Sequence, residues 1–120
     1  MDFRLTKMQV LNLNFTEEKQ GDPDSDSRLQ IDAVMEISEQ NPFVARMVID
    51  TVLNAPGRYE MIAKLAFIFK FQKETPPEQI EKSLVEADTE SLLYPYINTY
   101  LTNFIMGAGY PRPGIPLILK

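Results

Sequence analysis

The sequence predicts an α+β fold: a four-stranded antiparallel sheet followed by one long amphipathic helix. Three observations carry this. Apolar residues recur with period two through four segments up to Phe71, and with helical spacing only beyond it. Short Pro- or Gly-containing turns join the last three of those segments, which suits antiparallel neighbours. The 120 residues, 44% of them apolar, suffice for one domain with a real core, spanning 1–120.

The first strand runs from Phe3 to Phe15. Leu11, Leu13 and Phe15 alternate with Asn12 and Asn14, while the phase slips between Leu5 and Val10, which predicts a bulge near Lys7 to Val10. Glu17 to Arg28 is polar, contains Gly21 and Pro23, and reads as a long exposed connection. Leu29, Ile31, Ala33, Met35 and Ile37 then occupy odd positions against polar even ones, a half-buried strand. Asn41-Pro42 turns the chain. Phe43 to Leu53 again keeps its apolar residues mainly odd, and Asn54-Ala55-Pro56-Gly57 is a second turn. Tyr59 to Phe71 places Met61, Ala63, Leu65, Phe67, Phe69 and Phe71 on one face. Part of this run would also suit a helix, but the sustained period of two decides for strand. The apolar face of such a sheet must be covered.

Pro77-Glu78 suits a helical first turn, with a short helix over Gln79 to Glu86. Asp88, Thr89 and Ser91 are candidate N-caps for the main helix. In it Leu93, Tyr96, Ile97, Tyr100, Leu101, Phe104 and Ile105 recur at three- and four-residue spacing. Pro95 is expected in its first turn, and Gly107 or Gly109 at its C-terminal end. Pro111, Pro113, Gly114 and Pro116 then forbid regular structure, and the tail from Ile115 to Leu119 is apolar.

Composition excludes whole classes of chemistry. With no Cys and no His, thiolate nucleophiles, imidazole bases, disulfides and the usual zinc sites are absent. The 17 acids outnumber the 12 bases for a net charge of −5, with no Lys or Arg run, so neither nucleic acid nor an anionic membrane is an expected partner. No apolar run is long enough to span a membrane and no secretory leader is visible, so the expected location is the cytoplasm. Asp22, Asp24 and Asp26 have the spacing that opens an EF-hand loop. Ser27 stands where the loop needs Gly, however, and Ala33 where it needs the bidentate Glu. Asp32, Glu36 and Asp50 lie on polar strand faces, where exposed carboxylates are ordinary; an enzyme would need two of them in a deep pocket. No cofactor and no catalytic residue is expected. Lys64 and Lys70 read as solvent-facing or edge-protecting.

Surfaces are more telling. Glu90 and Arg112 bracket a helix without one charge, and opposite its apolar stripe stand Asn98, Thr99, Thr102 and Asn103. Such a neutral face can pack on a partner subunit; a surface helix that merely lacks charge is the alternative. Val44, Val48 and Val52, with Ile62, Ala66 and Ile68, put apolar residues on the second face of two strands, which marks an interface or a binding groove.

Leu92-Leu93-Tyr94-Pro95-Tyr96 opens the helix, Gly109-Tyr110-Pro111 closes it, and Pro116 sits in the apolar tail. This pattern, after four strands and a long first connection, resembles the SecB export chaperones. Element order matches over the whole chain, and the specific likeness spans Leu92 to Leu117. The sequence departs from the family in carrying Ile97-Asn98 where a basic residue is usual, and Pro116-Leu117-Ile118-Leu119 in place of Pro-Val-Asn-Phe. The family's second long helix and acidic tail, which assist tetramer packing and docking to the SecA motor, find no counterpart within the 120 residues, so SecA coupling is not implied.

The resemblance implies an ATP-independent chaperone, homodimeric or homotetrameric, holding unfolded pre-secretory polypeptides in apolar grooves. A SecB-like oligomer serving one dedicated partner of toxin–antitoxin type, or a purely structural one, fits the same surfaces. The expected groove lies beside the main helix and is lined by Tyr94, Tyr110, Ile115, Leu117 and Leu119; the same tail could instead plug its own core. The expected oligomer interface is the Asn98, Thr99, Thr102, Asn103 face.

Overall fold

The four period-two segments form one antiparallel sheet, and the two helical segments follow it. The computed structural model describes residues 3–38 and 40–115. In chain order the elements are β1 (Phe3–Glu17), β2 (Arg28–Ile37), β3 (Val44–Ala55), β4 (Tyr59–Phe71), α1 (Pro77–Glu86) and α2 (Thr89–Gly107). The strand order is β1-β4-β3-β2, so β1 and β2 are the edges and the connection between them crosses the ends of β4 and β3.

That crossing is pinned at the β3–β4 turn. Gly57 donates its N–H to the Gln20 carbonyl at 2.8 Å, and Arg58 reaches the Ser25 carbonyl at 3.0 Å. Gly57 has φ 71°, and a Cβ there would lie 2.8 Å from the Gly21 carbonyl oxygen and from the Pro23 nitrogen. Only glycine meets both the backbone angle and the close approach.

The odd-numbered face of β3 and β4 is the core. Met47, Ile49, Leu53, Met61, Leu65, Phe67 and Phe71 are buried there, with Ile80 and Leu84 of α1 and Leu93, Ile97, Leu101 and Ile105 of α2 packed in the same cluster. Thr51 is the polar member, and its hydroxyl donates to the Ala63 carbonyl at 3.0 Å. The edge strands are only half covered: Leu29, Ile31, Met35 and Ile37 of β2 are partly buried against the cluster.

The expected β1 phase slip is present as a register shift between Leu5 and Lys7, and a second shift lies between Val10 and Asn12. Leu11 thereby leaves the alternation and is 42% exposed. Two local expectations on α2 are corrected. Pro95 lies inside α2, not in its first turn, because the helix starts at Thr89 behind a left-handed Asp88 (φ 51°). The carbonyl one turn before Pro95 belongs to exposed Ser91, where water can replace the lost bond. Tyr96, read as part of the apolar stripe, is 55% exposed, since the buried stripe runs instead through Tyr94, Asn98 and Thr102. The far end follows expectation. Gly109 (φ 97°) ends the helix, with Tyr110 N–H bonding Ile105 and Gly109 N–H bonding Met106, the paired closure of a Schellman motif.

Candidate functional site

The helix α2 runs beside the edge strand β1. At its start Leu92, Leu93 and Tyr96 face Phe3, Leu5 and Phe69; at its end Phe104 lies 5.5 Å from the Phe15 ring. Three surfaces of different chemistry lie along this helix.

The first is a cleft of 190 Å³ at the helix start, between β1, β4 and α2, apolar but for Arg4 in its lining. Leu92 and Tyr96 stand open to solvent at its rim, and Phe3 and Leu93 form its floor. None of these four had a place in the sequence-derived site. The available signal was the helical phase: a stripe centred on Leu93, Ile97 and Leu101 leaves Leu92 and Tyr96 together on the flank.

The second is a groove of mixed polarity, 340 Å³, along the middle of α2, with Pro95 and exposed Met106 in its lining. All four residues expected at the oligomer interface line it, with Arg112 at its edge. They are not equally open. Thr99 and Asn103 are exposed, whereas Asn98 and Thr102 are buried within the single chain. The Thr102 hydroxyl donates to the Asn98 side-chain oxygen at 3.1 Å, so each offsets the other's lost hydration. Tyr94 also belongs to this network. Burial pushes its hydroxyl above the ordinary tyrosine range, and a hydrogen bond with Asn98 partly opposes that.

The third is an aromatic cluster at the helix end. Phe15 stacks on Tyr59 at 5.4 Å, and Tyr110 meets Tyr59 edge-on at 4.9 Å and Phe15 at 5.5 Å. Tyr59 is buried, and its hydroxyl has no hydrogen-bond partner among the described residues. Its pKa is raised by burial, lowered by neighbouring Arg58, and raised further by Tyr110.

The three described residues of the expected groove, Tyr94, Tyr110 and Ile115, do not line one open groove. Tyr94 and Ile115 are buried in the core cluster, and Tyr110 is half-buried in the aromatic cluster. Ile115 follows a Pro-rich segment and packs in that core cluster. Leu117 and Leu119 lie outside the described residues. Among the described residues no group of three or more His, Cys, Asp or Glu side chains could hold a metal ion. No helix among them is long and apolar enough to cross a membrane.

No protein-family model matches the chain, and no curated protein resembles it in sequence. Solved structures do resemble it in shape. One is the Mycobacterium tuberculosis Rv1957 SecB-like chaperone, solved in complex with a ChAD peptide from the Rv1956 HigA1 antitoxin. The superposition has a TM-score of 0.79 at 13% identity and covers 99% of this chain and 91% of that one. With its four antiparallel strands followed by a short and a long helix, this chain has the SecB-like chaperone fold.

Proposed function

We propose that this protein is a non-catalytic, ATP-independent chaperone that holds unfolded polypeptide on apolar surface beside α2, in the cytoplasm, as a homodimer or homotetramer. The observation that carries the reading is the cleft at the helix start. Leu92 and Tyr96 are 48% and 55% exposed on a helix that has a buried stripe available to it. Exposed Val10 and Leu11 extend the apolar surface along β1. Large apolar side chains left open in a group suit an extended, apolar client. Holding such a client needs contact area and avidity between copies, and no hydrolysis. The groove on α2, uncharged but for Arg112, is the proposed contact between copies, with Thr99 and Asn103 as its open positions.

The test is suppression of aggregation of an unfolded, non-cognate protein without nucleotide. The wild type should suppress it, and a Leu92→Ser, Tyr96→Ser double variant should lose most of the effect while remaining folded. Full suppression by the double variant would refute the assignment of the cleft. A second reading, one dedicated partner of antitoxin type, is favoured by the peptide that the similar chaperone was solved with. It predicts no suppression with generic clients but binding of one cognate peptide.

A further inference from the structure

The face of the sheet turned away from the helices carries a concentration of positive charge at one end, against the acidic balance of the whole chain. Register places Arg4 of β1 directly opposite Lys70 of β4, and Lys70 opposite Val44 of β3. Directly opposed like charges on adjacent strands are destabilising, so the pair is a cost the fold carries. The next row holds Lys7, Ile68 and Arg46. Arg46 is neutralised by Glu36, with N–O distances of 2.9 and 2.6 Å. Arg4 and Lys70 have no ion pair among the described residues. They border a groove of 720 Å³ whose other lining includes Phe43, 40% exposed, and the amide side chains of Asn41 and Gln72.

We propose that this groove is a docking site for an acidic, extended protein segment carrying an apolar residue beside its carboxylates. One carboxylate sits between Arg4 and Lys70 and removes their mutual repulsion. The apolar residue covers Phe43 and Val44, and Asn41 and Gln72 serve the segment's main chain. Charge complementarity selects this occupant, because a neutral or basic segment leaves the pair unrelieved. Arg4 also lines the cleft at the helix start, whereas Lys70, Phe43 and Val44 line this groove and not that cleft, so variation at Lys70 separates the two sites.

The test is fluorescence anisotropy with a short labelled peptide of Asp and Glu around a Leu-Phe pair, and with the same peptide bearing Lys in place of the acids. The acidic peptide should bind, and raising the salt to half-molar should weaken it, since the pair is exposed and screened within about 10 Å at 0.1 M ionic strength. Lys70→Glu should weaken binding at least tenfold without lowering Tm, because it puts an opposite charge across from Arg4. Lys64→Glu, on the same face but outside the groove, should change binding less than twofold. Equal binding of both peptides, or equal losses from the two variants, would overturn the proposal. So would tight binding of a single-stranded RNA oligonucleotide that the acidic peptide fails to displace.

Discussion

Tyr59→Phe should stabilise this protein. The residue is 1% exposed and its ring is held by Phe15 and Tyr110, contacts that a phenyl ring keeps. What the substitution removes is a buried hydroxyl without a hydrogen-bond partner among the described residues. Leaving such a group unpaired costs about 1–3 kcal/mol, and the small void left by the oxygen takes back part of that. A net gain of about 1–2 kcal/mol is expected. With an unfolding entropy of roughly 2.1 cal/mol/K per residue, a chain of this length shifts by about 4 °C per kcal/mol, so Tm should rise by roughly 4–8 °C. Urea melts at neutral pH give the free energy directly. The same group predicts an alkaline limb. Burial raises the folded-state pKa above the ordinary 10.0, so the folded chain keeps the proton that the unfolded chain gives up. Stability from this group is therefore fully present below about pH 10 and is lost as pH rises through the folded value. Tyr94, raised by the same cause, adds to the limb. Tyr59→Phe should shallow it and leave the Tyr94 part. A loss of more than about 1 kcal/mol in the variant would show that the hydroxyl holds a hydrogen bond, and the reasoning would fail.

Leu101→Ala, at a position with 0% exposure beneath the sheet, should cost about 2–5 kcal/mol in urea melts; a loss near zero would mean that α2 docks by another face. Gly57→Ala should cost more than about 1 kcal/mol by the same assay, because it combines a left-handed backbone angle with two 2.8 Å backbone contacts. Thr102→Glu should cost several kcal/mol through an unpaired charge beside Asn98, and should dissociate any larger assembly at milder doses of denaturant than it unfolds the chain. Sedimentation checks this, and a wild type found only at 13.8 kDa would remove the oligomer from the proposed function.

Strand content was legible because periodicity of two is a property of the chain itself. The even–odd split of Tyr59 to Phe71 survives in the burial of β4 except at Ala66, which is buried on the even side. What stayed hidden was decided between distant residues. Asn98 and Thr102 read as a solvent or partner face because both are polar, yet a hydrogen bond between them lets both be buried within one chain. Tyr94 and Ile115 could be placed beside the helix, but whether the tail opens a groove or fills the core depends on a return path that a Pro-rich segment does not encode as a period. Leu92 was overlooked for the converse reason: an exposed leucine looks ordinary until Phe3 and Tyr96 are seen beside it. The Arg4–Lys70 pair needs the register of β1 on β4, which two shifts within β1 make unreadable in advance.

The strand order has a consequence for how the chain is made. The β3–β4 hairpin closes over a few residues, and β2 joins β3 across a short turn, so these three strands assemble soon after they emerge. The strand β1 precedes the other three in the chain yet, among the described residues, pairs only with β4, with Phe3 meeting Phe71. On the ribosome it is an alternating segment whose partner strand is complete only once Phe71 has been made. In that interval it is itself an extended polypeptide of the kind that aggregates, and its paired state depends on the slowest, most non-local contact in the molecule.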